Sequence, residues 1–165
     1  SVIFYKKVRI KFISKIQTIG FMKKIAWKRA RTRFASGMAM ALKSGLDMDE
    51  SLSLSEKLTD YEPLKMKIQQ CQEQMKEGEI FPKALKEAHI FDGMQERLMI
   101  IGYETGAVDE VMEQAADLYQ KQLQDQIQKM IAVLEPTLVG ILCVIVGIIL
   151  LSVMLPLVGI MAGIG

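Results

Sequence analysis

The C-terminal stretch Thr137–Gly165 limits what this chain can fold into more than any other part of it. It holds no charged residue, and Thr137 and Ser152 supply its only hydrogen-bonding side chains. A helix needs about 20 consecutive apolar residues to cross a bilayer core, at roughly 1.5 Å of rise each. Thr137–Val158 meets that length, with Pro136 in front and Pro156 near the far end. Backbone groups in lipid must bond to one another, which requires the segment to be helical. The competing account is a buried core helix of a soluble protein, but 29 uncharged residues exceed what a 165-residue globule can cover. A removable signal peptide is excluded by position, since such peptides are N-terminal. The sequence predicts a chain anchored in a membrane at its C-terminal end.

Charge is partitioned along the chain. Between Ser1 and Leu46 there are twelve Lys or Arg and no acid; between Asp47 and Glu135 there are nineteen acids and nine bases. The net charge of +2 conceals this asymmetry. Positive charge collects on the cytoplasmic side of a membrane. The expectation is therefore a basic arm and an acidic domain in the cytoplasm, with the anchor running outward and Gly165 outside. The opening Ser1-Val2-Ile3-Phe4-Tyr5, followed by Lys6-Lys7-Val8-Arg9, reads as the inner end of a preceding membrane helix, or alternatively as a mature N-terminus. Cys71 and Cys143 are isolated and have neither disulfide nor zinc spacing, so they read as small apolar fillers.

Three regions follow: a basic membrane-proximal arm over 1–28, a six-helix domain over 29–135, and a membrane helix with a short outer tail over 136–165. From Ile10 to Lys28 bases alternate with Phe12, Ile13, Ile16, Ile19, Phe21, Ile25 and Trp27, and Gly20 divides the arm in two. Such segments lie on anionic lipid headgroups. A nucleic-acid arm is the other reading of basic residues with interleaved aromatics. The adjacent span favours lipid and no nucleic acid.

Helical periodicity begins at Arg29 and places Ala30, Phe34, Gly37, Met38, Ala41 and Leu42 on one face, ending at Ser44-Gly45. Asp47 caps a second helix, with Glu50 at the capping-box position and Leu52, Leu54 and Leu58 as its apolar contacts. Pro63 starts a third, through Met66, Ile68, Cys71 and Met75 to Gly78. Pro82 opens a fourth carrying Ala84, Leu85 and Ala88. Asp92 caps a fifth with Gln95 at the box position and Leu98, Met99 and Ile101 behind it, and Gly102 and Gly106 end it. The sixth runs from about Ala107 to Leu134, its stripe formed by Val108, Val111, Met112, Ala115, Tyr119, Leu123, Ile127, Met130 and Leu134. Glu135-Pro136 forms a joint to the span, where a bend or loosened turn is expected because proline lacks a donor. No run of alternating β-branched residues precedes the span. The fold class is all-α, a six-helix cytoplasmic bundle followed by a transmembrane helix.

Little in the chain points to catalysis. The single His89 lacks an HExxH context, and neither GxxxxGK[ST] nor GxGxxG occurs. Asp109, Glu110 and Glu113 favour the positive end of the sixth helix rather than a metal site. The twelve Met residues sit at helical spacing and read as core. Gly140, Cys143, Gly147, Gly159 and Gly163 give the span small positions for contact with another helix. No cofactor, metal or catalytic residue is expected.

The ordered set Arg33-Phe34-Ala35, Leu42-Lys43-Ser44-Gly45-Leu46, Gly78, Phe81-Pro82-Lys83-Ala84-Leu85, Ile101-Gly102-Tyr103-Glu104-Thr105-Gly106, Tyr119, Leu134-Glu135-Pro136 and Pro156 resembles the repeat of the type II secretion system F family. The resemblance covers roughly residues 19–158. These are the polytopic inner-membrane platform proteins of type II secretion, type IV pili and competence pseudopili. The resemblance implies a second cytoplasmic repeat plus the last span of a multi-pass protein. It also implies a mechanical rather than enzymatic role, coupling a hexameric assembly ATPase to extrusion of pilin or pseudopilin subunits alongside other inner-membrane assembly proteins, as a homo-oligomer. Gly45, Gly78, Pro82, Gly106, Glu135, Pro136 and Pro156 enter as fold determinants. Glu104 is either a helix-end hydrogen-bonding group or a docking residue. Val108 stands where family members often have Leu. A membrane-anchored helical adaptor or signalling module that binds a soluble partner is the alternative reading.

Overall fold

The computed structural model describes the backbone of residues 2–164 and the side chains of residues 19–163. Among the described residues there are six helices and no strand: α1 (Val2–Lys43), α2 (Met48–Lys57), α3 (Glu62–Lys76), α4 (Phe81–Glu87), α5 (Gly93–Thr105) and α6 (Val108–Ile164). One compact unit ends at Gln124, and a second begins at Asp125. The readings placed on Ser1–Tyr5, Lys6, Lys7, Arg9, Phe12, Ile13 and Ile16 concern side chains outside the described residues.

Helices as short as α2 and α4 are marginal in water on their own and depend on packing. The first unit supplies it through a core of Phe34, Met38, Leu52, Leu64, Ile68, Phe81, Leu85, Ile90, Met99, Met112 and Tyr119, all essentially buried. Each such side chain contributes about 1.5–3 kcal/mol by leaving water. Small residues let the helices approach: Ala30, Ala35, Ala39 and Ala41 on α1, and Ala115 and Ala116 on α6. Helix ends follow local chemistry. The Asp47 carboxylate accepts the Glu50 N–H at 2.8 Å at the start of α2. Pro63 and Pro82 occupy the first turns of α3 and α4. Gly45, Gly78 and Gly106 take positive φ just past α1, α3 and α5, a conformation that costs an L side chain about 1–2 kcal/mol.

Several expectations are corrected. Gly20 does not divide the basic segment; α1 runs through it, since one helical glycine costs only about 1 kcal/mol. Trp27 does not face headgroups: its ring meets Tyr61 edge-on at 6.0 Å and packs against the core. Leu54, Leu58, Met66 and Ile101 are exposed; on α2, Ser51 and Ser55 are buried while Leu54 is not, because the stripe α2 buries is set by where α1 and α3 lie. Asp92 holds the N-cap position of α5 but makes no side-chain cap bond; its carboxylate is taken by Arg31. Gly102 does not end α5, which continues to Thr105.

In the second unit α6 continues with its side chains largely exposed, and it includes Pro136 and Pro156 inside the helix. The helix is unbroken through Glu135-Pro136, so the loosened turn expected there is absent. A proline removes a single backbone bond, and in apolar surroundings the remaining backbone groups have no partner other than the helix itself. The Thr137 and Ser152 hydroxyls donate to the carbonyls of Val133 and Ile148 at 2.7 and 2.8 Å, which satisfies the polar side chains of the apolar stretch. This helix is long and apolar enough to cross a membrane.

Candidate functional site

Four helix ends meet at one end of the first unit: the last turns of α1 and α5 and the first turns of α2 and α6. They enclose an open hollow of about 400 Å³ lined by Leu42, Met48, Tyr103, Gly106, Val108 and Asp109. Gly106, with φ +75°, turns the chain from α5 into α6 within two residues, and its N–H donates to the Tyr103 carbonyl. Lys43 pairs with Glu113 across the helices. Its ammonium pKa is raised above the ordinary value, first by that hydrogen bond and further by Glu113, Asp109 and Glu110. Asp109 is the acid in the hollow's lining, while Asp49 and Glu50 line a separate hollow with Leu46, Ser53, Leu54 and Lys57.

A second cluster joins α1 to α6. Arg31 is nine-tenths buried, with its guanidinium 4.9 Å from the Trp27 ring centre and 5.2 Å from that of Tyr119. Its Nη1 donates to Asp92 Oδ1 at 3.0 Å, and the Asp92 N–H donates to the Tyr119 hydroxyl at 3.3 Å. Phe91 stacks on Tyr119 and meets Phe34. Lys67 Nζ lies 5.1 Å from the Trp27 ring centre and donates to the His89 carbonyl. Burial lowers the Lys67 pKa, and the nearby Arg31 charge adds to the shift. This cluster ties the bundle together, and its one acid, Asp92, is largely exposed.

Of the residues singled out in the sequence, Gly106 lines the hollow, and Gly45 follows its lining residue Leu42 by three. Gly78 and Pro82 lie between α3 and α4 and do not line it; Glu135, Pro136 and Pro156 belong to the second unit. Glu104 is exposed and bonds no backbone donor among the described residues. Tyr103 enters the sequence reading only as part of a motif, and Arg31 does not enter it. The spacing Trp27 to Arg31, one helical turn on a basic segment, is the available signal for the second cluster. Cys71 is fully buried, and burial pushes its thiol up to about 12, so it holds no reactive thiolate at neutral pH. No group of three or more His, Cys, Asp or Glu among the described residues is placed to hold a metal ion.

The geometry defines a class: a helical module whose last helix is long and apolar enough to cross a membrane. Residues 34–156 match the family described as type II secretion system (T2SS), protein F, and the chain belongs to that family. A type IV pilus assembly protein PilC of Thermus thermophilus is 28% identical over 131 residues, 79% of this chain and 32% of that protein. A type 4 fimbrial assembly protein PilC of Pseudomonas putida is 24% identical over 153 residues, 93% of this chain and 38% of that protein. A type II secretion system protein F of Aeromonas hydrophila is 26% identical over 125 residues, 76% of this chain and 32% of that protein. The chain spans about a third of the length of these curated relatives.

Proposed function

We propose that the chain is part of a multi-pass platform protein in the cytoplasmic membrane of a type II secretion or type IV pilus machine. The six-helix unit lies in the cytoplasm and Gly165 outside. The platform couples a hexameric assembly ATPase to the extrusion of pilin or pseudopilin subunits, working by displacement rather than by catalysis. The observation that carries this reading is α6: one helix contributes Met112, Ala115 and Tyr119 to the core of the first unit and then supplies the uncharged stretch from Thr137 onward. A displacement of the core helix is passed along a hydrogen-bonded backbone. The partition of charge supports the orientation, with twelve bases and no acid before Asp47. The exposed Lys23 and Lys24 suit anionic lipid headgroups, and the small positions Gly140, Cys143 and Gly147 suit packing against further spans or a second copy.

The test is a flexible Gly/Ser insertion after Leu134 in the full-length protein. The insert should leave membrane insertion and the melting of the helical unit intact while abolishing pilus assembly or secretion. Assembly that persists would rule out transmission through α6. Affinity purification of the tagged protein from gently solubilised membranes should recover an assembly ATPase and pilin-like subunits; an unrelated soluble partner in their place would favour the adaptor.

A further inference from the structure

Helix α5 turns apolar side chains away from the bundle. It buries Gln95 together with Met99 and Gly102, while Met94, Ile100 and Ile101 stay 72, 40 and 55% exposed. A helix whose contacts ended with its own bundle would gain by the reverse arrangement, since apolar area left in water forgoes its transfer free energy. Residues 97, 100, 101 and 104 follow one another at helical spacing along that outer side, so Arg97 and Glu104 lie in line with an isoleucine on either side of the line. Arg97 and Glu104 are both exposed, and neither has an ion-pair partner among the described residues. They stand about 10.5 Å apart along the axis, whereas ion pairs on a helix surface form between residues three or four apart. Glu104 also sits in the last turn of α5, where the helix dipole disfavours negative charge. The acid at the other end of the helix, Asp92, is taken by Arg31.

We propose that this face of α5 is an interface with a second copy of the chain, the two helices packed antiparallel about a two-fold axis that passes between Ile100 and Ile101. Such an axis brings Arg97 of each copy level with Glu104 of the other, so one self-complementary face forms two ion pairs around the isoleucines of both copies. A parallel arrangement would set Arg97 against Arg97 and Glu104 against Glu104. A nucleic acid or an anionic lipid surface would meet an acid as well as a base at the centre of the face. The chain itself carries both halves of the charge complement, in the register that an antiparallel copy requires, and this selects a second copy as the occupant. The charge pairs fix that register, and the isoleucines supply the affinity. The contact rests on the residues of α5 and holds whichever machine contains the chain.

The experiment introduces Ile101→Cys or Met94→Cys into the full-length protein, treats its isolated membranes with a short bismaleimide, and sequences the linked peptides, with the parent protein as background. In the antiparallel pair the two copies of residue 101 are offset by about 1.5 Å along the helices, and those of residue 94 by about 20 Å. Ile101→Cys should therefore give a product joining residue 101 to residue 101, and Met94→Cys should give no such self-product. Arg97→Glu should lower the residue 101 product about fivefold, and adding Glu104→Arg should restore it, because the exchange recreates both pairs. Both positions are exposed, and Glu104→Arg places a cation at a helix C-terminus, so the thermal transition should not fall in the double exchange. A residue 94 self-product, a residue 101 product with another protein in place of a second copy, or no product above the parent level would overturn the proposal. So would a yield that Arg97→Glu leaves unchanged or that the double exchange fails to restore.

Discussion

A Cβ placed on Gly102 would stand 2.7 Å from Val111 Cγ2 and 3.2 Å from the Ala107 carbonyl oxygen. The glycine therefore lets α5 cross the first turns of α6 at a distance no other residue allows. Val111 is branched and nearly buried, and the carbonyl belongs to the turn itself, so neither neighbour can yield cheaply.

Gly102→Ala should accordingly destabilise the first unit. Overpacking costs about 1–3 kcal/mol, and the gain in helix propensity returns about 1 kcal/mol of it. Denaturant unfolding of the purified protein should show a net loss. Adding Val111→Ala should cost less in the Gly102→Ala background than in the parent, and simple additivity would refute the steric account.

Arg31 should matter through its stacking more than through its ion pair. Asp92 is 61% exposed, and exposed pairs are worth about 0–1 kcal/mol. Asp92→Asn should therefore cost under about 1 kcal/mol. Arg31→Lys loses the planar group held between Trp27 and Tyr119 and should cost about 1–2 kcal/mol. Equal losses in the two variants, read from thermal melts, would place the energy in the pair instead.

Cys71 and Tyr119 bear on alkaline stability. Burial raises both their pKa values above the ordinary ones, the thiol to about 12. The unfolded chain then loses these protons first, so the thiol's contribution is complete below its unfolded pKa near 9 and is lost as pH rises toward 12, and the phenol's begins to be lost above its ordinary value of 10. The thiol accounts for a fall of up to about 1.4 kcal/mol per pH unit in that window. Cys71→Ala should flatten part of the alkaline slope and leave the share of Tyr119. An unchanged slope above pH 9 would mean that the thiol is not excluded from water.

Thiol chemistry gives an independent reading of the same burial. At pH 8 the ionised fraction of Cys71 is on the order of 10⁻⁴, and a maleimide should fail to label it until the first unit unfolds. Labelling of the native protein at Cys71 would show that the core opens locally.

Gly106→Ala tests the turn between α5 and α6. Nothing lies within 4 Å of an added Cβ, so the cost is purely conformational, about 1–2 kcal/mol at φ +75°. A neutral result in thermal melts would show that the turn adjusts its backbone.

Local chemistry makes much of this protein legible in its residues alone. The absence of charge after Glu135 requires a helix with lipid-compatible sides, the 3.6-residue period locates six helices, and Asp47 and the left-handed glycines place their ends. These features depend on a few neighbouring residues, so a single chain displays them. The identity of the covered face does not. Leu54, Leu58, Met66 and Ile101 match the apolar pattern but face outward, while Arg31, Ser51, Ser55 and Gln95 are buried. Asp92 turns from the cap it could have made to Arg31, 61 residues away, and Gly102 serves a crossing rather than a helix end. The hollow at Tyr103 exists only because four helix ends converge. Each of these outcomes depends on which helix lies opposite, and that is a property of the packed bundle rather than of any segment within it.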